Sequence, residues 1–213
     1  MPTYGLGTWN DLTVEDIRTA IDLGVTHIGA EVFEGVNKEP LIREAIKGYD
    51  RSRFFLSSKT WDGIDYNSTL VACEESLKRL GTDYLDLYIL YQYNNIKECL
   101  RALNRLKSEG KIRAIGLNNF RVPQIKDAQQ YSKIDCVQTR YSQSYRLPET
   151  NGVLKYCQDN DIMLEAWRPR MNEGKGAIKW LVSQKNVVVI CKTKNKEHLL
   201  ENLNESIIPV RIS

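Results

Sequence analysis

The chain has only two histidines, and its five cysteines (Cys73, Cys99, Cys136, Cys157 and Cys191) include no C-x-x-C pair. That removes the close Cys and His spacing used by structural zinc sites, so no metal is expected. An odd number of widely separated cysteines, mostly inside apolar runs, reads instead as buried thiols in a reducing compartment. A surplus of one charge is missing too: 30 Lys and Arg stand against 27 Asp and Glu, well interleaved, for a formal net charge of +3. So small a surplus gives no electrostatic footprint of nucleic acid or of a membrane surface as partner. The sequence has no apolar run of membrane-spanning length. Its opening "MPTYGLGTW" has neither the basic nor the apolar segment of a secretory signal. A cytoplasmic location is the expectation that follows. What is present, 42% hydrophobic and 27% charged residues over 213 positions, suffices for one globular domain with a sizeable core.

One alternation runs along the chain. Short β-branched or aromatic runs precede segments whose apolar residues recur at helical spacing, with Gly, Asn or Asp between them. "YGLGTW" precedes "VEDIRTAIDLG", "VTHIGAEV" precedes "KEPLIREAIKGY", "RFFLSSKTW" precedes "STLVACEESLKRLG", and "YLDLYILYQY" precedes "IKECLRALNRLKSEG". The second half continues with "IRAIGLNNF", "IDCVQTRYS", "IMLEAW" and "VVVICKT", each followed by a helical segment. Runs such as "LYIL" and "VVVI" are apolar on both faces, as parallel strands covered by helices are. Eight such units without a linker predict an α/β fold of the compact (β/α)8 TIM-barrel type with short loops, one domain over residues 1–213. A doubly wound sheet is the alternative topology.

In a (β/α)8 barrel, chemistry gathers at the C-terminal ends of the strands. The pattern places Trp9, Glu31, Lys59, Tyr91, Asn118, Asn119, Gln138, Trp167 and Lys192 there. The blocks "GLGTW", "SSKTW", "CEESLKRLGTDYLDLYIL", "LKSEGKIRAIGLNNF", "VQTRYS" and "VVVICKTKNKEHLLENLN" resemble, in order and nearly end to end, the successive signatures of the aldo-keto reductase superfamily.

The resemblance implies carbonyl reduction with NAD(P)H and a catalytic Asp, Tyr, Lys and His. Hydride arriving at a carbonyl carbon leaves an alkoxide-like oxygen that needs a proton and electrostatic help. Only Lys59 in "SSKTW" is kept. The family pattern H-I-D-T-A-x-x-Y-G meets "HIGAEVFEG", which puts Gly29 in the Asp slot and Glu34 in the Tyr slot, or Phe33 in the Tyr slot with one residue deleted. The histidine slot after strand four holds Tyr91. Lys59 and Tyr91 are the candidate catalytic pair, a phenol beside a cation. Their alternatives are a residual Lys59–Glu31 ion pair and a tyrosine that merely fills the barrel mouth. Trp9, Trp61 and Trp167 are either cleft walls or packing, and His27 reads as structural.

The cofactor half is better kept. By the resemblance, Asn118, Asn119 and Gln138 hold the nicotinamide carboxamide, whose amide edge needs paired donors and acceptors. Lys192 and Thr193 meet the adenosine 2′-phosphate, with the helix beginning near Asn195 pointing amides at phosphate. Glu201 and Asn202 contact the adenine. His198 replaces an arginine and with it the bidentate fork. NADP(H) is therefore the expected cofactor, with a small carbonyl as substrate. The segment from Arg168 to Ala177 and the loop after Tyr93 are shorter than usual, "NESIIPVRIS" stands where a longer closing tail is common, and the N-terminal hairpin is not found. Loops set specificity on this fold, so substrate identity does not carry over. Two readings stand: a reductase of weak or lost activity, and a non-catalytic nucleotide-binding or protein-docking relative.

Overall fold

The computed structural model describes residues 1–9, 11–33, 35–61, 64–170 and 173–207. In chain order the strands are β1 (Tyr4–Gly7), β2 (His27–Gly29), β3 (Val32–Phe33), β4 (Val36–Asn37), β5 (Phe55–Thr60), β6 (Leu87–Leu90), β7 (Ile115–Asn118), β8 (Cys136–Arg140), β9 (Met163–Trp167) and β10 (Val187–Cys191). Eight of these pair in parallel, β1-β2-β5-β6-β7-β8-β9-β10, and β10 returns to β1 to close a barrel. The helices that follow the strands are α1 (Val14–Asp22), α2 (Glu39–Ile46), α3 (Tyr66–Leu80), α4 (Ile96–Ser108), α5 (Val122–Gln129), α6 (Leu147–Thr150), α7 (Val153–Asp159), α8 (Ala177–Val182) and α9 (Lys196–Ser206). This is the (β/α)8 barrel that the eight strand-helix units predict. No helix among the described residues is long and apolar enough to cross a membrane.

Period-two alternation splits the strand residues between two cores. Outward-facing Leu6, Ile28, Leu56, Tyr88, Leu90, Leu117, Val137, Leu164 and Val189 pack under the helices in one large cluster. Inside the barrel, Leu87, Ile89 and Cys136, with Phe55, Ala114 and Met163 against them, form a small apolar plug. Two glycines make room within the barrel: a Cβ on Gly5 would lie 2.5 Å from His27 Nδ1, and one on Gly29 would lie 2.3 Å from Ile190 Cδ1. Helix starts follow local chemistry. Thr13 and Asp16 form a capping box on α1, as Asp65 and Ser68 do on α3, each cap contributing about 1 kcal/mol.

The second unit departs from its expected form. "VTHIGAEV" reads as one strand, but β2 ends at Gly29, and Val32–Phe33 and Val36–Asn37 form a separate antiparallel hairpin. Ala30 N–H still donates to the Ser57 carbonyl at 2.8 Å, whereas Glu31 N–H turns to Thr8 Oγ1 at 3.1 Å. Alternating apolar residues satisfy a barrel strand and a hairpin strand alike, so the sequence pattern cannot mark the break.

Candidate active site

At the C-terminal ends of the strands lies a cavity of about 620 Å³. All nine strand-end residues named from the sequence line it: Trp9, Glu31, Lys59, Tyr91, Asn118, Asn119, Gln138, Trp167 and Lys192. Strand register explains the convergence. Lys59 pairs with Ile89, so Tyr91, two residues on, continues the same inward face of β6. Asn118 pairs with Gln138, and Gln138 with Glu165, which aligns three polar side chains across neighbouring strands.

The Asp slot is closed. Because Ile190 already fills the space beside Gly29, no side chain at position 29 fits without moving it. The carboxylate arrives two residues later: both oxygens of Glu31 accept from Lys59 Nζ at 3.0 Å, with the Lys59 side chain 10% and the Glu31 side chain 19% exposed. Glu31 is anchored on either side of its side chain, its N–H on Thr8 Oγ1 and its carbonyl accepting from Lys38 N–H at 3.1 Å. The pairing of Lys59 with Glu31 read from the sequence is thus present, and it leaves a cation fixed in the cavity wall. Glu34, the other occupant proposed for the Tyr slot, lies outside the described residues.

Aromatic rings build an arc beside this pair. Phe33 stacks on Trp9 with centroids 4.9 Å apart and meets Trp61 edge-on at 6.4 Å, and Trp61 meets Tyr91 at 4.6 Å. The arc closes through Arg168, whose guanidinium lies 5.3 Å from the Trp167 ring and 5.9 Å from that of Trp9. Trp9 and Trp167 line the cavity, whereas Trp61 packs between Phe33 and Tyr91. Arg168, which also lines the cavity, has a φ of 54°, uncommon for a residue other than glycine.

Beneath Lys59 the barrel holds buried polar groups. Glu165 accepts from Gln138 Nε2 through Oε2, and its Oε1 lies 3.4 Å from His27 Nε2, with both side chains fully buried. His27 Nε2 is also 3.3 Å from Ser57 Oγ, in keeping with the structural role read for it, although its Nδ1 has no hydrogen-bond partner. Glu165 escaped sequence reasoning, yet a lone carboxylate inside the apolar strand "IMLEAW" is a visible signal. It holds the Gln138 amide in place at the cavity floor. Burial, with the Glu31 charge adding, lifts the Glu165 carboxyl from 4.5 to about 7, against the hydrogen bond from Gln138 and the charge of Lys59. Burial likewise drops the His27 imidazole from 6.5 to about 3.

These shifts act oppositely on stability. Between pH 4.5 and about 7 the folded chain keeps a Glu165 proton that the unfolded chain has lost, so this contribution falls as pH rises through the window. Between about 3 and 6.5 the unfolded chain binds the His27 proton, so that contribution rises with pH. Glu165→Gln should remove the first slope alone. Relative to the unmodified protein, it should gain up to about 1.4 kcal/mol per pH unit across the Glu165 window. Urea unfolding at a series of pH values measures this, and parallel profiles for the two proteins would refute the buried-carboxyl account.

Two further cations follow the end of β10. Lys192 leaves β10 at the rim and donates to Asp11 Oδ1, and Lys194 donates to Asp11 Oδ2 at 2.6 Å. Thr193 Oγ1 accepts from Asn195 N–H at 3.2 Å, and Asn195 caps α9 by accepting from His198 N–H at 3.0 Å. The helix N-terminus read from the sequence is therefore present beside Lys192. His198 and Glu201 do not line the main cavity. They line a shallow groove with Lys175 and Lys179. Arg170, a cavity residue, donates to Glu201 Oε2 at 2.9 Å and to Asn202 Oδ1 at 2.6 Å, while Asn202 Nδ2 donates to Tyr4 Oη at 3.3 Å. An adenine approaching Glu201 and Asn202 meets side chains already tied to Arg170. Asn119, exposed with a φ of 58°, accepts from the Trp167 indole at 3.4 Å.

The family model of the aldo/keto reductases matches residues 4–174. Over 183 residues the chain is 36% identical to the glyoxal reductase of Bacillus subtilis (strain 168), covering 80% of this chain and 64% of that protein. It is 29% identical over 204 residues to the NADH-specific methylglyoxal reductase of Escherichia coli (strain K12), covering 78% and 62% respectively. The chain thus spans somewhat less than two thirds of the length of these curated relatives. Among solved structures, a thermostable aldo-keto reductase in complex with the inhibitor epalrestat superposes with a TM-score of 0.88 at 33% identity, covering 100% of this chain and 92% of that one. An aldo-keto reductase from Klebsiella pneumoniae in complex with NADPH gives 0.84 at 26%, covering 99% and 88%. Sequence blocks, barrel and match agree, and the chain belongs to the aldo/keto reductase family of oxidoreductases.

Proposed function

We propose that the chain binds NADP(H) across the barrel mouth and uses it, slowly, to reduce small carbonyl compounds. The observation that carries this reading is the gathering of Lys59, Tyr91, Asn118, Asn119, Gln138 and Lys192 around a single cavity. The cavity volume is within the range of small-molecule sites. The residues fit the cofactor in kind: amide side chains suit a carboxamide, and an ammonium beside a helix N-terminus suits a phosphate. Bound there, NADPH would supply hydride to the carbonyl carbon. The chain's part is to orient the carbonyl between the aromatic walls and to give its oxygen the Tyr91 phenolic proton, which solvent later restores. Lys59 stabilises the charge developing on that oxygen, and Glu31 holds Lys59 in place. A cytoplasmic location belongs to the same reading, supported by five thiols that form no disulfide.

Slow turnover is expected because neither register of "HIGAEVFEG" puts a phenol in the Tyr slot, and general-acid help of that kind is typically worth about 10² to 10⁴ in rate. The same observation favours a second reading, a relative that holds nucleotide or docks a partner without reducing anything. A panel of small aldehydes and 2-oxoaldehydes with NADPH, followed by the loss of reduced nicotinamide, tests the proposal. Turnover well below the ordinary range of about 1 to 10³ per second is expected. Turnover inside that range would show that the altered site costs nothing, and its absence under single-turnover conditions would favour the second reading.

A further inference from the structure

Asp11 and Lys192 are 181 residues apart in sequence, yet one carboxylate bridges two cations of the loop after β10: Oδ1 accepts from Lys192 and Oδ2 from Lys194. The two ammonium groups hold the Asp11 carboxyl well below the usual carboxylate range, so the bridge is ionic at any physiological pH. Lys192 is also the cavity-lining cation beside the N-terminus of α9. Two ammonium donors spaced to hold both oxygens of a carboxylate are spaced to hold two oxygens of a phosphate. Carboxylate and phosphate therefore compete for the same donors.

We propose that Asp11 is a built-in competitor for the phosphate end of the cofactor site: it holds Lys192 and Lys194 until the 2′-phosphate of NADP(H) displaces it. This rests on the nucleotide reading above and adds a residue that sets cofactor choice. Asp11 disfavours the phosphorylated cofactor, and by holding the cations it also keeps stray anions off them. The bridge reaches further than charge. Asp11 sits two residues after Trp9 on the β1–α1 connection, and Trp9 is stacked on Phe33 at the substrate side of the mouth. Asp11 thus stands close in sequence to a connection residue that packs at the carbonyl cleft.

Calorimetric titration of adenosine 2′,5′-bisphosphate, NADPH and NADH into the unmodified chain, Asp11→Asn and Glu197→Gln tests this. Asp11 is exposed, so its substitution spares the core, and matched melting temperatures verify the fold. Asp11→Asn should bind the bisphosphate and NADPH about three- to tenfold more tightly at low ionic strength, with NADH unchanged. Glu197→Gln removes the same charge from the first turn of α9, without an ion pair to either lysine among the described residues, and should stay near the unmodified protein. Asp11→Asn binding the bisphosphate no more tightly than Glu197→Gln, while NADPH still binds, overturns the competitor role and spares the cofactor reading. No NADPH binding to any of the three proteins overturns both.

Discussion

Tyr91→Phe should lower carbonyl reduction by about 10²- to 10⁴-fold and leave NADPH affinity unchanged, the pattern of a group needed only in the transition state. Tyr91 continues the inward face of β6 beside Lys59, and its ring is fixed by Trp61 at 4.6 Å. The substitution removes one oxygen from the cavity wall and nothing from the core. Lys59→Met should have a comparable effect on turnover, because the cation that answers charge on the substrate oxygen goes with it. That variant also strands Glu31 with its side chain only 19% exposed and without its partner, so Lys59→Met with Glu31→Gln is the variant whose fold is safer. Single-turnover rates with saturating NADPH read the effect. Equal rates for Tyr91→Phe and the unmodified chain would place the proton donor elsewhere, with Glu34 the next residue to replace.

The second large effect belongs to the phosphate end. Lys192→Glu should weaken NADPH by about a hundredfold or more and NADH much less. Removing a charge-assisted hydrogen bond forfeits roughly 1.5 to 3 kcal/mol, and the introduced carboxylate adds repulsion to a phosphate in the same place. The neighbouring Asp11 makes that repulsion worse, since it loses one of its two cations and remains an anion at the rim. Fluorescence titration of the two cofactors measures the ratio. An equal loss for both would move Lys192 from the 2′-phosphate to the shared pyrophosphate.

Relatives differ on this point by name alone: the Escherichia coli protein is described as NADH-specific, and the Klebsiella pneumoniae structure holds NADPH. The ion pairs at the rim offer this chain's physical basis for a choice. On the proposed reading, Lys192 and Lys194 would attract the extra phosphate and Asp11 would oppose it.

What sequence could and could not show follows from the range of each interaction. The barrel was legible because "LYIL" and "VVVI", apolar on both faces, alternate with amphipathic helices, and local periodicity records burial. The nine mouth residues were legible because strand ends converge in any closed barrel. The break between β2 and β3 was not, since Gly29 and Ala30 fit either form and the chain leaves the sheet where Glu31 N–H turns to Thr8 Oγ1, a residue distant in sequence. The pairing of Glu31 with Lys59 could be read across neighbouring strands, but the bridge from Asp11 to Lys192 joins the two ends of the chain and leaves no local trace. Arg170 went unread for the same reason. The short β9–α8 connection brings it onto Glu201 and Asn202, a consequence of loop length rather than of motif.

The most direct test of the central claim, that the barrel mouth is a nicotinamide dinucleotide site, is calorimetric titration of NADPH and NADH into the purified chain. One NADPH per chain, bound more tightly than NADH and displaced by adenosine 2′,5′-bisphosphate, is the predicted result. No heat of binding from either nucleotide, with the chain folded and monodisperse, would contradict the claim and leave a docking module built on a reductase barrel.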